Sequence, residues 1–173
     1  MNTLEALTTR RSCRNFKPDP VPPELIDKVL EAGTFAPTGM GRQSPIIVAI
    51  TNKVVRDQLS ALNARIMEGD GDPFYGAPVV LVVLARKDVP THVYDGSLVM
   101  GNMLNAAHDL GLASCWIHRA KEEFESPEGH EILARLGLDA SEYEGIGNCI
   151  LGYAAEPAPA AAPRKADYIY RIA

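Results

Sequence analysis

The chain has few of the residues that staple a fold or hold a metal. Among its 173 residues are three cysteines, Cys13, Cys115 and Cys149, odd in number and widely spaced. No C-x-x-C pair occurs, which excludes a zinc ribbon and leaves no disulfide framework. Reduced thiols in a reducing compartment are the expected state. The four histidines, His92, His108, His118 and His130, form no H-E-x-x-H or H-x-H pair, so no metal ligand set is expected. Asp70-Gly71-Asp72 lacks the further acidic ligands of a calcium loop. Long apolar runs are missing too. The longest, Ala77 to Ala85, is too short to cross a bilayer, and no charged-then-apolar leader opens the chain. A cytoplasmic protein without membrane contact is expected. The formal net charge is -5, which argues against a nucleic-acid surface.

Nucleotide-binding devices are equally scarce. Gly39-x-Gly41 and Gly145-x-Gly147 each precede a predicted strand, where a dinucleotide fingerprint requires a helix. No G-x-x-x-x-G-K-[ST] loop is present. Cys115 lies three residues before His118, a spacing open to a nucleophile pair, but a cysteine in an apolar strand is ordinarily a small core residue.

What is present is an ordinary globular composition, 46% hydrophobic and 23% charged, in a length that fits one domain over residues 1–173. Leu4 and Leu7 predict a short opening helix capped by Asn2 or Thr3. Pro23 starts a second helix, with Gly33 as its expected stop. Residues 36–45 read as a loop, 46–50 as a strand and 53–67 as a helix. Pro78 to Leu84 is apolar without alternation, hence a strand buried on both faces. Residues 92–110 form the longest predicted helix, apolar enough to be central and closed by Gly111. Strands follow at 112–117 and 146–153, with a helix between them from Ser126-Pro127 to near Gly137. Four strands mixed irregularly with helices predict an α+β fold.

One stretch is out of character. Arg10, Arg11, Ser12 and Arg14 crowd into five positions of an acidic chain. Arginine's planar fork suits phosphate, and serine adds a small hydroxyl. Two readings stand: a local anion site, or a solvated loop whose arginines pair with surface carboxylates. A second cationic pair, Arg164-Lys165, follows the alanine- and proline-rich stretch 154–163.

Four blocks in order resemble the flavin-dependent nitroreductase family: Arg10-Arg11-Ser12-x-Arg14-x-Phe16, Ala36 to Gln43, Gly111-Leu112-Ala113-Ser114-Cys115-Trp116-Ile117, and Ile150-Leu151-Gly152-Tyr153 followed by the basic pair. The resemblance implies a central, mostly antiparallel sheet of four to five strands surrounded by helices. It implies an interlocked homodimer holding FMN non-covalently at the subunit interface. Carried over by position, Arg10, Arg164 and Lys165 would hold the phosphate. Arg11, Ser12 and Arg14 would line the ribityl chain and pyrimidine edge. Pro37, Thr38, Gly39 and Gly41 would come from the partner subunit. Trp116, Ile117 and His118 would run along the ring system, and Asn63 would meet the pyrimidine.

The implied activity is electron transfer from NAD(P)H through flavin N5 to an electron-poor acceptor such as a nitroaromatic or quinone, in a ping-pong cycle without a catalytic side chain. Dehalogenating and flavin-destroying reactions belong to the same family. A non-catalytic flavin store, and a binding domain for another phosphorylated ligand, are the alternatives. Gly41 stands where many members have asparagine. His118 and Arg119 stand where others often have acidic residues or glycine. The chain is also short between Lys53 and Pro78, where larger members cover the substrate channel.

Overall fold

A computed structural model describes residues 1–172. Ten regular elements follow one another: α1 (Thr3–Thr9), α2 (Pro23–Thr34), β1 (Pro45–Ile50), α3 (Lys53–Ile66), β2 (Val79–Arg86), α4 (His92–Asp109), β3 (Ala113–Ile117), α5 (Ala120–Glu125), α6 (Pro127–Arg135) and β4 (Tyr143–Gly152). The four strands form one sheet in the order β1-β2-β4-β3, with every neighbouring pair antiparallel. The expected α+β architecture is therefore present.

The sheet separates two apolar layers. On one face Val79, Leu81, Val83 and Ala85 of β2 pack with Ile26 and Val29 of α2 and with Val99, Met100, Met103 and Ala107 of α4. On the other, Val80, Val82 and Leu84 of β2 meet Leu59 and Leu62 of α3, Phe124 of α5 and Leu133 of α6. This is why β2 carries no polar alternation: both sets of its side chains are covered. In β4 the register slips between Val83 and Leu84 of its partner, so Ile146 is an extra residue facing α4.

Local chemistry sets the ends. Asn2 Oδ1 accepts the Glu5 N–H at 2.9 Å and caps α1. Asn52 caps α3 and Ser126 caps α6 in the same way. Gly111, at φ +76°, follows α4 as expected. Gly33 does not stop α2, which continues to Thr34. It is a contact glycine: a Cβ there would come within 2.9 Å of both Ile47 and Met103. The single helix expected from Ser126 is preceded by a separate one, α5, and β4 begins three residues before the expected strand.

The segment after α1 completes the sheet's edge. Ser12 bridges Ser114 of β3 in parallel, and the Cys13 N–H donates to the Ser114 carbonyl at 3.0 Å. Phe16 then bridges Ala154, beyond the end of β4. The arginine stretch is thus fastened to β3 by backbone bonds rather than left as a free loop.

Candidate functional site

The arginine stretch lines a cavity of about 610 Å³. Arg10, Arg11, Ser12 and Arg14 form one wall, and Gly111, Leu112, Ala113 and Ser114 form another. Ala154 and the 156–159 segment close the rim, where Glu156 accepts from Asn15 Nδ2 at 3.1 Å. The volume is in the range of small-molecule and cofactor sites.

Two buried donors here have no partner. Arg10 Nη1 and Arg11 Nε are both covered and unpaired. Arg11 is otherwise turned back on α1, its Nη1 donating to the carbonyls of Thr8 at 2.9 Å and Arg10 at 2.7 Å. A buried guanidinium N–H without an acceptor is costly. A turn of either side chain toward an anion in the cavity would remove that cost, which favours the anion-site reading over the surface-decoration one.

β3 leads away from this cavity. Ala113 and Ser114 line it, and the strand continues through Trp116 and Ile117 to His118. At about 3.3 Å per residue this is roughly 17 Å of extended chain from Ala113 to His118, long enough to run beside an extended mononucleotide. The Trp116 indole lies against Gly147 with its Nε1–H buried and unpaired. Ile117 points into the core and His118 is exposed, so Ile117 can meet a ligand only through its backbone.

Asn63 does not join this set. It is completely buried, and its amide is used inside the protein. Nδ2 donates to the His118 carbonyl at 2.9 Å and to the Glu123 carboxylate, while Oδ1 accepts from Arg119 Nε at 3.0 Å. The pyrimidine contact expected of Asn63 therefore has no free N–H and no exposed atom to make it here. Glu123 also accepts from Asn148 Nδ2 at 2.8 Å. Burial pushes the Glu123 carboxyl up to about 7, against the pull of the Asn148 and Asn63 hydrogen bonds and of nearby Arg119. Nothing in Lys121-Glu122-Glu123 marked this glutamate as buried; as a sequence it reads like a solvated helix face.

The loop with Pro37, Thr38, Gly39 and Gly41 lies apart from the arginine cavity. Thr38 lines a second, mainly apolar cavity of about 320 Å³ with Leu30, Ile46, Ile47 and Val99. The loop is held by Asp95, a buried residue in the first turn of α4. Asp95 accepts from the Gly39 N–H at 2.9 Å, from Thr91 Oγ1 at 2.9 Å and from Ser44 Oγ at 3.3 Å. Gly39 packs so closely on Thr91 that a Cβ would come within 2.3 Å of its hydroxyl. An acidic residue opening an apolar helix was the available signal for this anchor.

Arg164 and Lys165 are not among the residues lining the arginine cavity. They sit on an extended, exposed tail whose alanines and prolines give it little to pack. Arg164 donates to the Ala162 carbonyl, and Lys165 lies over the Tyr168 ring at 5.5 Å. Among the described residues no group of three His, Cys, Asp or Glu could hold a metal, and no helix is long and apolar enough to cross a membrane.

Comparison with known proteins places this geometry. A protein of Methanothermobacter thermautotrophicus named "Putative NADH dehydrogenase/NAD(P)H nitroreductase" is 32% identical over 120 residues. That match spans 67% of this chain and 60% of the relative's length. A nitroreductase from Bacteroides fragilis, solved with bound FMN, superposes with a TM-score of 0.89 at 27% identity, covering 99% of both chains. A second FMN-bound nitroreductase, from Desulfitobacterium hafniense, gives a TM-score of 0.86 at 29% identity, over 99% of this chain and 100% of that one. The model of the nitroreductase family matches residues 7–153, from the end of α1 to just past β4. The chain belongs to the nitroreductase family.

Proposed function

We propose that this protein is an FMN-dependent oxidoreductase acting as one domain over residues 1–173. When bound, FMN would accept a hydride from NAD(P)H and pass electrons to an electron-poor acceptor such as a nitroaromatic or quinone. The observation that carries this reading is that Arg10 and Arg11, which line a cavity of mononucleotide size, each hold a buried donor without a partner, Arg10 Nη1 and Arg11 Nε. Arg10 and Arg11 would hold the phosphate with the Ser12 hydroxyl. Arg14, exposed at the cavity wall, would put positive charge where the reduced cofactor becomes negative. β3 would lay Trp116, Ile117 and His118 along the ring system. Arg164 and Lys165 would add to the phosphate charge only when the tail folds over the cavity.

A homodimer belongs to the same proposal. The 37–41 loop does not line its own chain's arginine cavity, which fits its serving the partner's. α4 leaves Tyr94 and Leu98 exposed at 73% and 47%, and Gly101 borders open space. Leu4 and Leu7 of α1, with Phe35 before the loop, add more uncovered apolar surface. Uncovered apolar residues of this kind support an interaction site. Substituting Leu98→Glu should shift the sedimentation coefficient toward a monomer and lower FMN retention together.

The central test is direct. Purified protein should be yellow, and anaerobic NADH or NADPH should bleach it within seconds. Colourless protein that does not take up FMN would overturn the reading. Bound flavin that stays oxidised with both nicotinamides would leave a flavin store instead of an enzyme.

A further inference from the structure

His108 lines the arginine cavity and has no part in the function proposed above. It stands in the last turn of α4, where its Nε2 lies 2.9 Å from the Thr9 hydroxyl. Thr9 immediately precedes Arg10, so His108 sits at the end of the cavity given above to the phosphate. The neighbours of Thr9 fix the direction of this hydrogen bond. Thr9 Oγ1 also lies 2.6 Å from the Glu5 carbonyl, one turn back in α1. A carbonyl only accepts, so the single hydroxyl hydrogen goes to Glu5. Met1 Sδ, at 3.9 Å, is a far weaker acceptor. Thr9 can then only accept from the imidazole, and Nε2 carries the hydrogen. In the neutral ring Nδ1 is left with a lone pair. Among the described residues it has no hydrogen-bond partner, and it remains open to solvent.

We propose that His108 is a further phosphate-binding residue of this cavity: with Nε2 held on Thr9, Nδ1 takes a proton from solvent as a phosphate dianion enters and donates it in a hydrogen bond to a phosphate oxygen. The inference rests on the function proposed above, in which that dianion is the terminal phosphate of FMN.

The charges around the ring make the proton conditional on the ligand. Arg10, Arg11 and Arg14 share the cavity wall with the Cys13 thiol, and Glu156 stands at the rim. Asp109 is the next residue of α4, and it is paired with the Met1 amine at 3.2 Å. From α1, Glu5 meets the Thr9 hydroxyl through its backbone carbonyl. Three arginines in an empty cavity oppose a fourth positive charge. A phosphate monoester brings close to two negative charges at neutral pH and reverses that balance. The carbonyls at the end of α4 favour a cation at the same place. Histidine is the side chain whose charge changes in this pH range, so the two events are linked: phosphate binding draws a proton onto the ring, and a proton on the ring tightens phosphate binding.

The experiment compares wild type with the His108→Gln variant, whose amide can still donate to Thr9 but never carries a charge. FMN and riboflavin affinities are measured from pH 6.5 to 9. At pH 6.5 wild type should hold FMN about tenfold more tightly than the variant, the scale of one hydrogen bond to a charged group. The advantage should fade as pH rises toward 9. Riboflavin, which lacks the phosphate, should bind both proteins alike at every pH. Calorimetry near pH 7, in buffers of different ionisation enthalpy, should find FMN binding to wild type taking up a fraction of a proton more than binding to the variant. Equal FMN affinities, a difference that is the same at every pH, an equal loss for riboflavin, or equal proton uptake overturns the inference while leaving FMN binding intact. Inorganic phosphate gives a check that needs no flavin. The imidazole resonance absent from the variant's NMR spectrum belongs to His108, and it should titrate at higher pH when phosphate is added to flavin-free wild type. A midpoint that phosphate does not move overturns the inference as well. Protein that binds neither FMN nor riboflavin overturns the function proposal itself, and the phosphate titration then decides the role of His108 alone.

Discussion

The backbone N–H of Gly39 donates to the carboxylate of Asp95 at 2.9 Å, across 56 positions of sequence. This bond and those from Thr91 and Ser44 make one buried aspartate the anchor of the whole 38–44 turn. Replacing Asp95 with alanine leaves three donors without their acceptor. The expected cost is about 2–3 kcal/mol in urea unfolding, because each is a hydrogen bond to a charged group. Asp95→Asn, which can still accept, should lose less. If the loop serves the partner's site, FMN dissociation should quicken in proportion. Alanine and asparagine variants that unfold like wild type would show the anchor to be dispensable.

Arg10→Ala separates binding from stability. Loss of a charge-assisted phosphate contact costs about 1.5–3 kcal/mol, so FMN affinity should fall roughly ten- to a hundredfold. The flavin-free variant should melt no lower than flavin-free wild type, since the substitution removes a buried unpaired donor. Paired melting curves with and without FMN read both effects.

Glu123 gives the protein an alkaline weakness. Its carboxyl ionises at 4.5 in the unfolded chain but only near 7 when folded, with burial as the first cause. Between those values the folded state holds the extra proton. Stability therefore falls as pH rises from about 4.5 to 7, by roughly 3 kcal/mol, and levels off above. Glu123→Gln should be free of this loss. Urea titrations at pH 5 and pH 8 should show a smaller drop in the variant than in wild type.

Asp72 acts at the other end of the scale. Desolvation raises its carboxyl, but hydrogen bonds from Arg56 and Ser60 and from the Gly76 and Phe74 N–H groups outweigh it and hold it at about 2. Its contribution is complete above the unfolded value of 3.8 and disappears as pH falls toward 2. The site is partly exposed, so the contribution is about 1 kcal/mol. Asp72→Asn should flatten acid unfolding between pH 4 and pH 2.

Much of the fold was legible because burial writes a pattern. β2 announced itself as an unbroken apolar run, and α4 as an apolar periodicity ending at glycine. Gly33 misled because its role depends on Ile47 and Met103, residues far away in the chain. α5 was missed because six residues rich in Lys and Glu carry too little periodicity to distinguish a half-buried helix from a solvated one. At the site, Arg10 and Arg11 stood out as cations in an acidic chain, and the structure finds them with unpaired donors at a cavity. Asn63 was assigned to the ligand only by position, from the family resemblance. The structure instead uses both ends of its amide to hold the turn after β3. Glu123 was invisible because nothing in its neighbours indicates burial, whereas Asp95 left a signal, an acidic residue opening an apolar helix, that was not read as an anchor.

The parallel bridge between Ser12 and Ser114 has a consequence for solubility. β3 lies at the end of the sheet, where unpaired N–H and C=O groups would invite the strand of another molecule. The arginine-bearing segment occupies part of that edge with its own backbone. The segment proposed to meet the cofactor thus also covers an edge open to polymerisation. Any change that frees it from β3 opens a template for misassembly.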